Sequence, residues 1–433
     1  MKILSISYSD DNGGASNAAY RIYRALADNG TDIQMLVKRK TRTDDRIMPA
    51  SDFGKRNLIR DVSDFIVCKA KNKVQHYRWG KYPGRGDVVL SDLRSEPLNG
   101  ALQKIGPDII HLNWINQRFL DLRELKKMNR PVVWTLHDCW PFTGICHYFY
   151  ACEAYRESCG KCPSLGSKDA KDMSYLVWEK KRQIYKDLNL NLVAPSNWMA
   201  GKARESALFR DFPITVIPYC IDHELFSPGS KTEACARWNL DPGKRYILYG
   251  AVNALNDKRK GYDLLIKSFL HFESIADKND TELLIIGANE PIDKLQVKTK
   301  VNYLGILESE SDLISAYRCA DVTVVPSIAE NLSLLTMESM SCGVSVVAFD
   351  IGGNRDLIDH KFNGYLAKPY NCDDLSIGIK WCLENNADQH LSKNARTKIV
   401  DSFNYEMTAD AYNKLYRRIV HNEYSQPCSL SIN

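Results

Sequence analysis

The sequence predicts an α/β protein built from two doubly wound domains. Short runs of β-branched and other apolar residues alternate with helix-length amphipathic segments along the whole chain, which indicates parallel sheets with helices on both faces. This alternation begins afresh at RYILYGAV, residues 245–252. The chain has 433 residues, too many for one compact core and suited to two domains of about 200 residues each.

Each half of the chain supplies its own set of predicted buried strands. The runs in the first half are KILSISY, IQMLV, DIIHLNWI, PVVWTLHD, NLVAPS and ITVIPY, and those in the second half are RYILYGAV, LLIIGA, VNYLGIL, VTVVPS and SVVAFD. Turn formers cluster between Pro218 and Pro228. We therefore expect domains at residues 1–220 and 221–405, followed by a C-terminal helix and tail, 406–433, that packs back on the first domain.

Composition and charge are those of an ordinary globular protein. Hydrophobic residues make up 44% and charged residues 26% of the chain, and the net charge of +5 gives no support to a nucleic-acid partner. The N-terminal MKILSISYSDDNGG is too short and too polar for a signal peptide, and no apolar run of about 18 residues could span a bilayer. We expect a cytoplasmic chain with reduced cysteines.

Four cysteines lie within 17 residues of a predicted insertion, 139–165, and are Cys146, Cys152, Cys159 and Cys162. The last two form a C-x-x-C pair. Four thiolates could bind one Zn²⁺ tetrahedrally and fold a segment with little apolar core of its own. The spacing differs from that of the common paired knuckle, so structural zinc and free thiols both stay open.

Two glycine-containing segments follow predicted strands, where ligands of doubly wound sheets bind. In SDDNGGASNAAY, Gly13 and Gly14 open a helix and could let a ligand approach the backbone closely, although a tight turn without a ligand is the alternative. In NDKRKGYDLLI, Arg259 and Lys260 crowd the start of a helix, where cations favour a neighbouring phosphate. A solvated charged loop is the alternative for this second segment.

A third segment, SIAENLSLLTMESMSCGVSVVAFDIGGN, places Glu330 and Glu338 eight positions apart where a strand gives way to a helix. The first amides of that helix, at Ser333, Leu334 and Leu335, would point at an anion. Carboxylates are good acceptors for vicinal hydroxyl groups, such as those of ribose or a sugar ring. A loop that offers amides to phosphate and carboxylates to hydroxyls suits a nucleotide sugar.

Together these segments resemble the retaining glycosyltransferases of family four. The second half carries KG-x-D-L-L, PS-x-x-E-N-x-S-L-x-x-x-E-S-M-x-C-G, IGGNRDLI and NGYL, and the first half carries GGA, DIIHLNW, VVWTLHDCWPFTG, NLVAPSNWMA and VIPYCIDHELFSP. The resemblance covers nearly the whole chain in the expected order. The HDCWPFTGICH segment is most similar to the bacterial polysaccharide branch that includes colanic-acid enzymes of the WcaC type.

The resemblance implies the GT-B fold, in which two Rossmann-like domains face each other across a cleft, the first binding acceptor and the second donor. It implies two catalytic residues: Glu330 at the hydroxyls of the transferred sugar and His137 beside the anomeric centre. The implied donor-binding residues are Gly14, Arg259, Lys260, Ser333, Leu334, Leu335 and Glu338. The arginine that the family usually carries before the lysine is missing from residues 251–255, so Arg259 is expected to substitute for it.

The implied reaction retains the anomeric configuration, through front-face attack assisted by the leaving phosphate, and needs no metal. The implied donor is a UDP- or GDP-sugar, and the acceptor a glycan or lipid-linked glycan of bacterial exopolysaccharide, capsule or O-antigen assembly. Residues 55–85 carry nine Lys or Arg against two Asp and could lie on the inner face of an anionic membrane or form a solvated helix. A non-catalytic sugar-nucleotide-binding protein of the same fold is the alternative function.

Overall fold

The computed structural model describes residues 1–11, 13–53, 80–84, 98–117, 119–251, 257–276, 280–289 and 297–421. The basic segment 55–85 lies outside these residues apart from 80–84, and the stretch 251–255 lies outside them apart from Ala251. The chain divides into two compact units. The first unit comprises Met1–Pro195, Met199–Ile217 and Thr408–Asn433, and the second comprises Ser196–Trp198 and Pro218–Met407. This division falls beside the boundaries expected after residues 220 and 405.

The first unit contains a parallel sheet of seven strands in the order β3-β2-β1-β4-β5-β6-β7. Its strands are β1 Lys2–Ser9, β2 Asp32–Arg39, β3 Ile47–Pro49, β4 Ile109–Leu112, β5 Val132–Thr135, β6 Leu190–Ala194 and β7 Ile214–Val216. Its helices are α1 Gly14–Asp28, α2 Asn99–Ile105, α3 Leu122–Met128, α4 Met173–Tyr185, most of α5 Asn197–Glu205 and most of α13 Tyr405–Val420. Every residue of β4, β5 and β6 is buried, as expected for a parallel sheet covered on both faces.

The second unit contains a parallel sheet of six strands in the order β10-β9-β8-β11-β12-β13. Its strands are β8 Arg245–Gly250, β9 Thr281–Ile286, β10 Val301–Gly305, β11 Val322–Val325, β12 Ser345–Phe349 and β13 Gly364–Ala367. Its helices are α6 Lys231–Arg237, α7 Tyr262–Ile275, α8 Glu310–Cys319, α9 Leu334–Ser341, α10 Asn354–Leu357, α11 Cys372–Glu384 and α12 His390–Ser402. Apolar side chains of α7 and α11 pack with the strands in one buried core.

These two sheets confirm the predicted α/β class. In each sheet the strand order reverses beside its first strand: β1 lies between β2 and β4, and β8 lies between β9 and β11. Such switch points open a crevice at the carboxyl ends of the two diverging strands, which is where ligands of doubly wound sheets bind. Strands β3 and β13 were absent from the sequence prediction. Among the described residues, no helix is both long and apolar enough to cross a bilayer.

Helix α13 returns the chain to the first unit and joins its core through buried polar contacts. Its buried residues recur with helical spacing, and two of them are tyrosines. Tyr416 Oη lies 2.8 Å from His111 Nδ1, Tyr412 Oη lies 2.8 Å from Thr135 Oγ1, and the same Thr135 oxygen lies 2.8 Å from His111 Nε2. Burial lowers the pKa of His111 to about 3, so its ring is neutral in this network.

Candidate active site

Glu330 lies at the switch point of the second unit, in the loop between β11 and α9, and is 6% exposed. Its Oε1 accepts hydrogen bonds from Lys260 Nζ at 2.5 Å and from Ser327 Oγ at 3.0 Å, and Arg259 Nη1 lies 3.6 Å away. Burial would raise the pKa of Glu330, but the charges of Lys260 and Arg259 and the hydrogen bonds outweigh it, so the pKa lies below its usual value. The carboxylate is therefore ionised at neutral pH.

The loop after β8 brings the two cations to this carboxylate. Asp257 Oδ1 accepts a hydrogen bond from the backbone amide of Arg259 at 3.0 Å. Asp257 Oδ2 forms an ion pair with Arg259 Nη2 at 2.9 Å. The Ile328 amide donates to the Arg259 carbonyl at 2.9 Å, which ties the loop after β8 to the loop after β11. Gly261, with φ +72°, makes this approach possible, since a Cβ there would lie 1.9 Å from the carbonyl oxygen of Pro326.

Helix α9 begins at the same crevice. Ser333 is its N-cap, and the Ser333 Oγ accepts the Thr336 amide at 3.2 Å. Leu334 and Leu335 are the first two helical residues, so their amides precede any carbonyl of the helix that could accept them. The Leu335 side chain also packs against Gly250, the last residue of β8. The start of α9 thus offers amide donors a few residues after Glu330, which contacts Lys260 and Arg259, and such helix starts bind phosphate groups in other proteins.

Glu338 is a second buried carboxylate, one turn inside α9 and 7% exposed. Its Oε2 accepts a hydrogen bond from the Tyr317 hydroxyl of α8 at 2.7 Å. The phenol holds one carboxylate oxygen in place, and a carboxylate has capacity for several further donors. The cations Lys260 and Arg259 therefore contact Glu330, and the Tyr317 hydroxyl contacts Glu338.

His137 follows β5 in the first unit and is 6% exposed. Its Nε2 lies 3.0 Å from Asn113 Oδ1, and the Asn113 amide nitrogen donates to Ser5 Oγ at 3.0 Å. Because Asn113 Oδ1 can only accept, His137 Nε2 carries a proton and donates it. Burial lowers the pKa of His137 to about 4, against a smaller raising effect of Asp138. At neutral pH the ring is therefore an uncharged hydrogen-bonding group.

Asp138, the next residue, is 8% exposed and accepts hydrogen bonds from three neighbouring residues. Its Oδ2 accepts from His147 Nδ1 at 2.6 Å and from Trp114 Nε1 at 2.9 Å, and its Oδ1 accepts from the Trp140 amide at 2.9 Å. Burial would raise the pKa of Asp138, but the His147 contact and these hydrogen bonds outweigh it and the pKa is lowered. His137, Asp138, Trp114 and Asn113 line a cavity of about 10 Å³, room for one water molecule.

Two family models match this chain, one over each half. The model described as "Glycosyltransferase Family 4" matches residues 12–225, and the model described as "Glycosyl transferases group 1" matches residues 230–398. The chain belongs to glycosyltransferase family 4. This confirms the resemblance that the sequence motifs indicated.

Curated relatives of this family 4 protein share modest identity with it. A D-inositol 3-phosphate glycosyltransferase of Nocardiopsis dassonvillei is 28% identical over 241 residues, covering 52% of this chain and 55% of the relative. The putative colanic acid biosynthesis glycosyl transferase WcaC of Escherichia coli is 28% identical over 272 residues, covering 58% and 62%. The matched part spans about half the length of these relatives.

Solved structures show the fold of the family 4 protein. Sucrose-phosphate synthase from Thermosynechococcus elongatus superposes with a TM-score of 0.66 at 21% identity, covering 97% of this chain and 99% of that one. HepE of Anabaena, solved in complex with UDP-glucose, superposes with a TM-score of 0.62 at 16% identity, covering 96% and 99%. The GT-B class predicted from the sequence is thereby confirmed.

The structure of the family 4 protein brings some of the predicted site residues together. Arg259, Lys260 and Glu330 form one contact group, and Leu334 and Leu335 are the first residues of α9, the helix that follows Glu330 in the chain. Gly14 is the first residue of α1 at the carboxyl end of β1, and a Cβ built there would meet nothing within 4 Å. The roles assigned to these residues, and to Ser333, Glu338 and His137, stay predictions.

Several positioning residues were missed by the sequence interpretation. Tyr317 holds Glu338, Ser327 holds Glu330, and His147 pairs with Asp138. Gly352 and Gly353 of the loop after β12 press against the same site, since Cβ atoms there would lie 1.8 and 1.9 Å from the carbonyl oxygens of Glu330 and Asn331. Only the Gly-Gly pair was part of a quoted motif. Ser327 lies three positions before Glu330 in the same loop, whereas His147 lies nine positions from Asp138 and Tyr317 lies 21 positions from Glu338.

The four cysteines of the predicted zinc site lie in the first unit. Cys162 is buried and the other three are half-buried, and the Gly144 amide donates a hydrogen bond to the Cys159 sulfur at 3.1 Å. Across the part of the chain that the structure describes, no three His, Cys, Asp or Glu side chains are grouped closely enough to hold a metal ion as they stand. Zinc binding therefore stays a prediction.

Proposed function

We propose that the protein is a retaining glycosyltransferase that transfers a sugar from a nucleoside diphosphate sugar to a glycan or lipid-linked glycan. The observation that carries this proposal is the buried Glu330, which is bonded to Lys260 beside the amide end of α9. Membership of family 4 supports it. The WcaC relative favours bacterial exopolysaccharide, capsule or O-antigen assembly, in the cytoplasm or at the inner face of the membrane.

Lys260 and Arg259 are suited to bind the leaving diphosphate. Both side chains are about a quarter exposed, so each can reach an anion while still contacting Glu330. Charge builds on the diphosphate as the glycosidic bond breaks, and preorganised cations and amides lower the barrier by stabilising that charge. The amides of Leu334 and Leu335 add donors that need no side-chain movement. The neighbours solved with UDP and UDP-glucose favour a uridine donor among the candidates.

The two glutamates suit the two hydroxyl-bearing parts of the donor. Glu330 would accept hydroxyls of the transferred sugar, with Ser327 and Lys260 fixing its position. Glu338 would accept the ribose hydroxyls, with Tyr317 fixing one oxygen. Neutral His137 would contact the transferred sugar beside its anomeric centre. The acceptor proton would pass to the leaving phosphate in a front-face reaction, for which these residues need no metal ion.

Donor-induced stabilisation tests the proposal. A ligand that binds only the folded state raises Tm by mass action, so UDP-, GDP- and ADP-sugars can be ranked by thermal shift. We expect one nucleotide class to stabilise the protein and to release its nucleoside diphosphate when an acceptor glycan is present. Stabilisation without any release across an acceptor panel would favour the non-catalytic alternative.

Lys260→Ala is the matched test of the diphosphate contact. We expect the variant to lose one charge-assisted hydrogen bond worth about 1.5–3 kcal/mol and to bind the donor roughly 10–100-fold more weakly. Titration calorimetry with the donor measures this change. Lys380→Ala on α11, where the lysine pairs with Glu384 on the surface, is the control and should bind like the wild type. Donor binding by the Lys260 variant at wild-type strength would mean that the diphosphate binds elsewhere.

A further inference from the structure

A run of cations, KRKTR at residues 38–42, spans the end of β2 and the loop that follows it in the first unit. Strands β1 and β2 are parallel, with Ser9 opposite Arg39, so the KRKTR segment lies at the carboxyl edge of the sheet beside the loop after β1. Doubly wound sheets bind their ligands at this edge, and β1 is one of the two strands that diverge at the switch point.

Asp10, the residue after β1, fixes the backbone of the KRKTR segment and is 0% exposed. Its Oδ1 accepts the Thr41 amide at 3.0 Å and the Thr41 hydroxyl at 2.7 Å, and its Oδ2 accepts the Arg42 amide at 3.0 Å. The buried carboxylate thus binds main-chain and hydroxyl donors rather than a cationic side chain of the described residues. Because the loop is already ordered, a ligand that binds there loses little affinity to ordering it.

The guanidinium of Arg42 is held in place by one nitrogen and one face. Arg42 Nε donates to the Asp10 carbonyl oxygen at 3.2 Å, and Arg42 Cζ lies 3.9 Å from the ring centroid of Tyr20 in α1, a cation–π contact. Among the described residues, the two terminal nitrogens of Arg42 have no hydrogen-bond acceptor and no carboxylate partner. Terminal guanidinium nitrogens presented as a pair match the oxygens of a phosphate group.

The positive charge around Arg42 exceeds the negative charge beside it. Residues 38–46 carry five Lys or Arg against two Asp. Asp44 accepts the Tyr23 hydroxyl at 2.7 Å and pairs with Arg46 at 3.6 Å, whereas Arg39 and Lys40 have no carboxylate partner in the part of the chain that the structure describes. Such a local excess attracts anions.

Two aromatic rings connect Arg39 with the cavity beside His137. Arg39 Cζ lies 5.6 Å from the ring centroid of Tyr8, and Tyr8 meets Trp114 edge to face with ring centroids 5.6 Å apart. Trp114 lines the cavity together with His137 and Asp138. The cations and the cavity therefore lie along one continuous edge of the first sheet.

From these contacts, and on the basis of the proposed function, we propose that Arg42, with Arg39 and Lys40, binds a phosphate or diphosphate group of the acceptor. The donor diphosphate is assigned to Lys260 and Arg259 of the second unit, so an anion bound in the first unit belongs to the other substrate. A phosphate monoester carries a charge of about −1.5 to −2 at pH 7, more than the single charge of a carboxylate, and matches several cations better. Sugar phosphates and prenyl diphosphates share this chemistry.

Binding of phosphate-bearing probes without donor tests the proposal. The full chain is titrated by calorimetry with farnesyl diphosphate and with glucose 1-phosphate, which distinguish a prenyl diphosphate from a sugar phosphate as the source. We expect at least one probe to bind, and Arg42→Gln to weaken its binding roughly 10-fold or more, because charge-assisted hydrogen bonds are lost. Arg182→Gln on α4, where the arginine pairs with Glu179, is the control and should bind like the wild type.

If Arg42→Gln fails to fold, Arg39→Gln decides, since that side chain is exposed, and it should also bind the probe more weakly. Failure of both probes to bind the wild type, or wild-type binding by a folded Arg42 or Arg39 variant, would overturn the proposal. Binding only to vesicles of phosphatidylglycerol would also overturn it, because the cations would then contact a membrane surface rather than the acceptor.

Two further measurements separate this proposal from the donor assignment. Lys260→Ala should keep the probe, and loss of the probe in that variant but not in Arg42→Gln would overturn the proposal by placing the anion at the donor site. Arg42→Gln should transfer sugar roughly 10-fold or more slowly to a phosphate-bearing acceptor. Unchanged transfer to such an acceptor would overturn the phosphate site and leave glycosyl transfer itself standing.

Discussion

At the scale of single residues, the central feature is a carboxylate that is both buried and ionised. Glu330 keeps its charge because Lys260 and Arg259 offset the cost of burial. A buried ion pair of this kind is weak support for stability but a good device for holding charged groups in fixed positions. In the proposed function the same cations bind a diphosphate, and Glu330 would then hold them in position before the donor binds.

Glu330→Gln separates the charge of this side chain from its shape. We expect transfer to fall by roughly 100-fold or more, because the amide is a poorer acceptor for the sugar hydroxyls and no longer orients Lys260. Nucleotide binding should persist, because the cations are kept. Nucleoside diphosphate release measures the first effect and calorimetry the second.

The control for this substitution is Glu384→Gln on the exposed face of α11. It removes a carboxylate of the same kind that lies on the surface, and we expect wild-type transfer. Unchanged transfer in the Glu330 variant would show that the Glu330 carboxylate takes no part in the reaction.

At the scale of secondary-structure elements, glycines decide how closely the loops of the second unit approach each other. Gly261→Ala should lower Tm and abolish donor binding, because φ is +72° and the new methyl group would collide with the Pro326 carbonyl.

Gly14→Ala should leave Tm unchanged or slightly raised, since nothing lies within 4 Å of the new methyl group. If Gly14 meets the donor, transfer should nevertheless fall; full activity in this variant would exclude that contact.

The docking of α13 should depend on pH through His111. The folded-state pKa of His111 is about 3 and its ordinary value is 6.5, so the unfolded chain binds the proton first as pH falls. The contribution of His111 is fully present above pH 6.5 and is lost progressively below it, by about 2 kcal/mol at pH 5.

Thermal unfolding at pH 7 and pH 5 measures this dependence. We expect Tm to fall with pH in the wild type and to fall less in His111→Gln. His421→Gln, which changes an exposed histidine just after α13, should behave like the wild type. Equal pH dependence in all three proteins would contradict the role given to His111.

Sequence patterns predicted most of the fold and only part of the candidate site. Apolar runs such as VTVV predict buried strands directly, because parallel strands are covered on both faces. β3 and β13 were missed because three- and four-residue strands, one containing proline and one beginning with glycine, carry little of that signal. Glu330 and Glu338 had a recognisable spacing. The bond between Lys260 and Glu330 joins residues 70 positions apart, and only the sheet topology brings them together.

At the scale of the whole molecule, the proposed function predicts which segments a bound nucleotide protects from amide hydrogen exchange. We expect UDP to slow amide hydrogen exchange in residues 257–261 and 326–335 of the second unit, because both loops would contact the diphosphate. Exchange in β2 and β3 of the first unit should be unchanged. Mass spectrometry of peptides after exchange measures this, and protection confined to the first unit would contradict the assignment of the donor site.

Because α13 belongs mostly to the first unit, it also determines where the junctions of a chimera between this chain and a relative should lie. A second unit exchanged into a relative should end near residue 407 rather than include the helix that follows. Helix α13 must be kept with the first unit, because His111 and Thr135 would otherwise lose the phenols of Tyr416 and Tyr412 and be left as uncompensated polar groups. Hybrids that ignore this second junction should aggregate or express poorly, even when the junction near residue 217 is well chosen.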